Sequence, residues 1–204
     1  MQRKADIERK SKETQIKVSV NVDGSGKTKI KTPIGFLDHM LELFAFHGYF
    51  DLELSVSGDT HIDIHHTNED IGIVLGKAFK KSLGEEKAGI KRFGSAFAPM
   101  EGTVGHCVID LSGRGYFKFN PLGDSRSFLL VAQEGYKFSD FEHFMESFAH
   151  NLGATLSFTL QNPSEDLHTN LETMFKSLGL ALDQATTIDP RREGKVPSTK
   201  GIID

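Results

Sequence analysis

The sequence predicts a mixed α and β fold built from two similar halves. Three observations carry this. Apolar residues alternate in several short segments, four other stretches carry helical stripes, and the same His and Glu residues recur about 104 positions apart.

Ile16, Val18, Val20 and Val22 alternate with polar residues, the period-2 pattern of a half-buried strand. Asp23-Gly24-Ser25-Gly26 is a turn signal, and Lys27–Lys31 alternates back, so the two runs are expected to form a hairpin. Phe36–Phe46 places Leu37, Met40, Leu41, Phe44 and Ala45 on one helical face. Leu52, Leu54 and Val56 form a strand closed by Ser57-Gly58-Asp59, and His61–Ile64 extends it or begins another. Thr67–Leu83 is helical and closed by Gly84. Val104–Leu111 is a strand. Phe117–Phe138 has no clear period, with Pro121, Gly123 and Gly135 marking turns. Phe141–Leu152 is helical, Thr155–Leu160 is a strand, and Leu167–Ala185 is the last helix.

Composition narrows the function classes. The chain has 204 residues, 38% hydrophobic and 25% charged, ordinary for a globular protein and unlike a disordered one. A single Cys excludes an intramolecular disulfide framework and a multi-cysteine zinc site. The net charge of −4 provides no basic field for nucleic acid. No apolar run reaches the roughly 18 residues of a membrane span, and no apolar signal core follows Met1–Ala5. A reducing, cytoplasmic setting is expected.

The repeat organises the chemistry. Asp38-His39-Met40 before Phe44-Ala45 matches Glu142-His143-Phe144 before Phe148-Ala149. His65-His66-Thr67-Asn68-Glu69 matches His168-Thr169-Asn170-Leu171-Glu172, and Leu75-Gly76 matches Leu178-Gly179. The halves, residues 1–94 and 95–204, are expected to pack as a pseudo-twofold pair around one core. On a helix His65 and Glu69 share a face, and so do His168 and Glu172, while His66 points about 100° away. His39 and His143 sit on the earlier helix of each half. Imidazole and carboxylate donors without thiolate suit Mn, Fe, Zn or Ni in an open catalytic site. Arg92, Arg114, Ser198, Thr199 and Lys200 form a second, anion-binding set, since guanidinium, ammonium and hydroxyl groups all donate to phosphate.

Gly35-Phe36-Leu37-Asp38-His39-Met40-Leu41, Phe46-His47-Gly48, His65-His66-Thr67-Asn68-Glu69-Asp70-Ile71-Gly72, Gly89-Ile90-Lys91-Arg92-Phe93-Gly94, Asp110-Leu111-Ser112-Gly113-Arg114 and Pro197-Ser198-Thr199-Lys200-Gly201 together resemble the imidazoleglycerol-phosphate dehydratase family. The resemblance runs from Glu13 to the C-terminal tail. It implies an α+β fold of two similar halves, each a four-stranded sheet with helices packed on one face. It implies a homo-oligomer of 24 subunits with two Mn²⁺ per active site. It also implies dehydration of D-erythro-imidazole-glycerol phosphate to imidazole-acetol phosphate, a step of histidine biosynthesis. By match to the motifs His39, His65, His66, Glu69, His143, His168 and Glu172 would be metal ligands. Glu13, His47, Arg92, Arg114, Ser198, Thr199 and Lys200 would contact substrate, and Glu13, Glu69 and Glu172 are the candidate proton-transfer carboxylates.

The sequence departs from the family pattern in places. Thr169 stands where a second His of the pair is usual, Ser157 where the preceding strand usually ends in His, and Glu101-Gly102 where an acidic pair is usual. Two readings follow. The loop is reshaped around a working two-ion site, or the chain is a diverged paralogue with an impaired second site, acting as a metal-binding oligomer or a phosphate-ligand-binding protein. His61, His106 and His150 are expected to be structural or surface residues.

Overall fold

The computed structural model describes residues 3–61, 63–84, 87–122 and 127–203. The first sheet contains β1 (Lys4–Lys10), β2 (Thr14–Asn21), β3 (Thr28–Lys31) and β4 (Asp51–Gly58) in the order β1-β2-β4-β3. The second contains β5 (Phe93–Met100), β6 (Thr103–Asp110), β7 (Tyr116–Leu122) and β10 (Thr155–Gln161) in the order β5-β6-β10-β7. Both sheets use one pairing scheme. The second strand is antiparallel to both its neighbours, and the third runs parallel to the fourth. The chain between β7 and β10 adds the two-residue strands β8 (Ala132–Gln133) and β9 (Tyr136–Lys137). Gly123 lies outside the described residues.

Four helices join these strands: α1 (Gly35–His47), α2 (His65–Leu83), α3 (Phe138–Leu152) and α4 (Leu167–Thr186). In the first half α2 lies on β1 and β2, while α1 lies mainly on β3. In the second half α4 lies on β5 and β6, and α3 on β7. The helical faces of the halves then meet, α1 on α4 and α2 on α3, around one continuous apolar core. Phe44 of α1 and Phe148 of α3, equivalent in the repeat, pack edge to face with ring centroids 6.3 Å apart. Equivalent glycines set the helix spacing. A Cβ on Gly76 would come closer than 3.0 Å to the Phe148 carbonyl oxygen, and one on Gly179 equally close to that of Phe44.

The expected hairpin is not formed. β4 inserts between β2 and β3, with Val18 opposite Leu54 and Val20 opposite Leu52, so that buried side chains meet along the β2–β4 seam. Asp51, which opens β4, accepts hydrogen bonds from the Ser25 and Lys27 amides (2.8 and 3.2 Å), and Leu52 N donates to Lys27 O (2.8 Å). The turn is thereby tied to β4 instead of closing β2 onto β3. The strand expected over His61–Ile64 is also absent among the described residues; Thr60 and His61 lie in a turn, and Ile62 is outside them.

Two strands have misleading patterns. β1 is an edge strand with only Ala5 buried, so it shows no apolar alternation. In β5 the large Phe93 and Phe97 face outward, while Gly94, Ala96 and Ala98 face the core. A Cβ on Gly94 would collide with the α4 backbone at Ala181. The close approach of α4 therefore demands small residues on the buried side.

Candidate active site

α4 begins where Asp166 caps the helix, its carboxylate accepting from His168 N (3.3 Å) and Thr169 N (3.2 Å). This places His168 and Glu172 one turn apart on the face that meets α1. His39 arrives from α1, and its Nε2 lies 3.0 Å from Glu172 Oε1. His168 Nε2 lies 3.0 Å from the same oxygen. Donor atoms of His39, His168 and Glu172 lie within 4.8 Å of one another. Two imidazoles and a carboxylate with no thiolate nearby form a donor set that fits a first-row divalent ion. Phe36 packs against His168 at nearly a right angle, ring centroids 5.3 Å apart.

Sequence reasoning gave no role to Lys176. Its Nζ lies 2.5 Å from Glu172 Oε2 and 3.8 Å from Met100 Sδ. The available signal was the Glu-to-Lys i,i+4 spacing on a helix. Burial alone would raise the Glu172 carboxyl, but hydrogen bonds from Lys176, His39 and His168 outweigh it and hold the group at about 2. His47, near the end of α1, joins this surface. Burial lowers its imidazole, the Lys176 charge lowers it further, and Glu172 opposes both.

The mirror set lies on α2 and α3. His65 and His143 stand edge to face with centroids 4.7 Å apart, and His65 Nε2 is 3.9 Å from Glu69 Oε2. His66 is exposed, its ring 5.6 Å from that of His65 and its Nδ1 3.7 Å from Glu13 Oε2 in the β1–β2 loop. Thr169, at the position equivalent to His66, is only 6% exposed. Its hydroxyl donates to Asp166 Oδ2 (2.7 Å), so it serves the helix cap.

Arg92, Ser112, Arg114, Ser198, Thr199 and Lys200 line one cavity of about 150 Å³, together with Ile202. Arg92 is already engaged. Its Nε and Nη2 donate to the Asp110 carboxylate (2.6 and 3.0 Å), and Nη1 donates to Pro197 O (3.0 Å). Arg92 thus braces the tail that carries Ser198 and Lys200, while Arg114 and Lys200 are exposed and have no acidic partner among the described residues. Glu13 and His47 do not line this cavity. His61 meets Asp59, His106 stacks on Phe97 (3.9 Å) and contacts Ser95 Oγ (2.9 Å), and His150 Nδ1 lies 2.9 Å from Glu146 O. These three remain outside both clusters.

The family model described as imidazoleglycerol-phosphate dehydratase matches residues 32–182, which contain both histidine clusters and Arg92. The chain belongs to the imidazoleglycerol-phosphate dehydratase family. The Geobacter metallireducens and Acetivibrio thermocellus imidazoleglycerol-phosphate dehydratases are each 46% identical to it, over the whole of both chains. A crystal structure of the Pyrococcus furiosus dehydratase in complex with (S)-C348 superposes with a TM-score of 0.79 at 34% identity, covering 96% of this chain and 99% of that one. The Staphylococcus aureus dehydratase superposes with a TM-score of 0.77 at 30% identity, covering 91% and 99%. As a member of the imidazoleglycerol-phosphate dehydratase family, the chain is a hydro-lyase of histidine biosynthesis. Among the described residues no helix is long and apolar enough to cross a membrane.

Proposed function

We propose that the chain converts D-erythro-imidazole-glycerol phosphate to imidazole-acetol phosphate as a Mn²⁺-dependent dehydratase with two ions per active site. It would work in the cytoplasm as a large homo-oligomer of 24 subunits, engaging neither nucleic acid nor membrane. The observation that supports this reading best is the meeting of His39 and His168 on a single oxygen of Glu172.

The carbon that loses its proton lies next to the imidazole ring, with no carbonyl to acidify it, and the hydroxyl to be expelled is a poor leaving group. Mn²⁺, when bound, supplies Lewis acidity toward the charge developing on the ring and on the departing hydroxyl. His39, His168 and Glu172 would hold one ion; His65, Glu69 and His143 would hold the other, with His66 at its edge. Glu172 is suited to holding an ion and not to moving a proton. Oε1 faces two imidazoles, Oε2 faces Lys176, and a carboxyl held at about 2 is a weak base. Glu13 is the better proton carrier, because its carboxylate is exposed and engaged by no such set of donors. Arg114 and Lys200 pair with the phosphate, Ser198 donates its hydroxyl, and Arg92 keeps the tail in place.

The test is turnover of imidazole-glycerol phosphate by protein stripped of metal, then resupplied with Mn²⁺. Activity is expected to be lost on stripping and recovered on addition. Undiminished turnover by metal-free protein would overturn the reading.

A further inference from the structure

The repeat builds its two clusters from equivalent parts, yet they are not equivalent. In the α1–α4 cluster both imidazole Nε2 atoms lie 3.0 Å from Glu172 Oε1. Glu172 is 11% exposed, Lys176 fixes its other oxygen, and Phe36 supports His168. In the α2–α3 cluster the His65–Glu69 separation is 3.9 Å and Glu69 is 43% exposed. The positions matching Lys176 and Phe36 are Ile73 and Asp140, and Asp140 is turned to the Lys137 amide.

We infer, resting on the metal-dependent reading above, that these are unequal divalent-cation sites and that the α1–α4 cluster fills first. A site whose donors already converge loses less side-chain freedom on binding. Buried contacts behind the ligands also hold their orientation. Lys176 opposes this by placing a positive charge beside the ion. That opposition is the weaker effect. The flexible lysine stem lets the ammonium withdraw once an ion neutralises the carboxylate. Until it does, its hold on Oε2 keeps Oε1 aimed at the imidazoles. The α2–α3 cluster must instead gather a half-exposed carboxylate that no lysine holds in place.

The experiment is equilibrium titration of the metal-free, full-length protein with Mn²⁺, following free ion by electron paramagnetic resonance. The expected isotherm has two classes of site differing at least about tenfold in affinity, or 1.4 kcal/mol. His168→Ala should remove the tighter class, and His143→Ala the weaker one alone. Glu172→Gln and Glu69→Gln repeat the comparison with smaller perturbations, and far-UV circular dichroism reports whether the helices persist. Two classes of equal affinity in the wild type would overturn this inference while leaving the metal reading intact. So would loss of the tighter class in His143→Ala. Failure of the wild type to bind any Mn²⁺ would take down the metal reading itself, and this inference with it.

Discussion

His39 and Glu172, 133 residues apart in the chain, meet at 3.0 Å across the junction of the two halves. The contact requires both α1–α4 packing and the correct rotation of α4, so it reads out the assembled fold. Neither half contains a complete cluster. Each supplies one imidazole from its first helix and one His-x-x-x-Glu pair from its second.

Removing a donor should therefore disable chemistry without unfolding the protein. Glu172→Gln keeps the volume and removes the charge. It is expected to lower kcat/KM at least about 100-fold, since even outer partners of ligands cost up to that much. His106→Ala, outside both clusters, should retain activity near wild type. Equal losses in the two variants would argue that the effect comes from the fold and not from the cluster.

The glycines that set helix spacing should be intolerant of a methyl group. A Cβ at Gly76 or Gly179 meets backbone carbonyls, which cannot swing aside. Each Gly→Ala change is expected to cost about 1–3 kcal/mol in chemical denaturation. Gly35→Ala is the control, because nothing lies within 4 Å of its added carbon. A neutral Gly179→Ala would mean that α1 and α4 separate readily.

Much of this architecture was legible from the residues themselves. Recurrence of His39 as His143, and of His65 and Glu69 as His168 and Glu172, announced the duplication, but not which helices of opposite halves would bring these residues together. The strands that escaped notice did so for physical reasons. β1 buries too little to alternate, and β5 turns Phe93 and Phe97 outward because α4 needs glycine and alanine beneath it. The hairpin expectation failed because a turn signal shows where a chain reverses but not which strand it reverses against. Lys176 was present in the sequence without a role, since its meaning depends on Glu172 being buried and shared.

The basic cavity separates a brace from a binder. Lys200 is exposed there, so Lys200→Ala is expected to raise KM about tenfold with kcat nearly unchanged, the signature of lost uniform binding. Arg92 uses three N–H groups to hold Asp110 and Pro197, a fork that lysine cannot reproduce. Arg92→Lys should therefore raise KM as well and also speed proteolytic cleavage within residues 195–200. Unchanged cleavage with a raised KM would make Arg92 a direct phosphate ligand instead.

Part of the acid sensitivity should be traceable to Asp51. Its carboxylate accepts from the Ser25 amide, with further hydrogen bonds from Asn21 and Lys27, and these bring its pKa down to about 2. An unfolded aspartate titrates near roughly pH 4. A depressed folded value means that the contribution is fully present above about pH 4 and is lost as pH falls toward 2. Asp51→Asn is expected to cost about 1–2 kcal/mol at neutral pH, a typical loss for charge-assisted hydrogen bonds. Thermal melts of the two proteins should therefore converge as the pH is lowered through that window. A gap in Tm that stays constant down to pH 2 would mean that the turn between β2 and β3 is held by something other than the Asp51 charge.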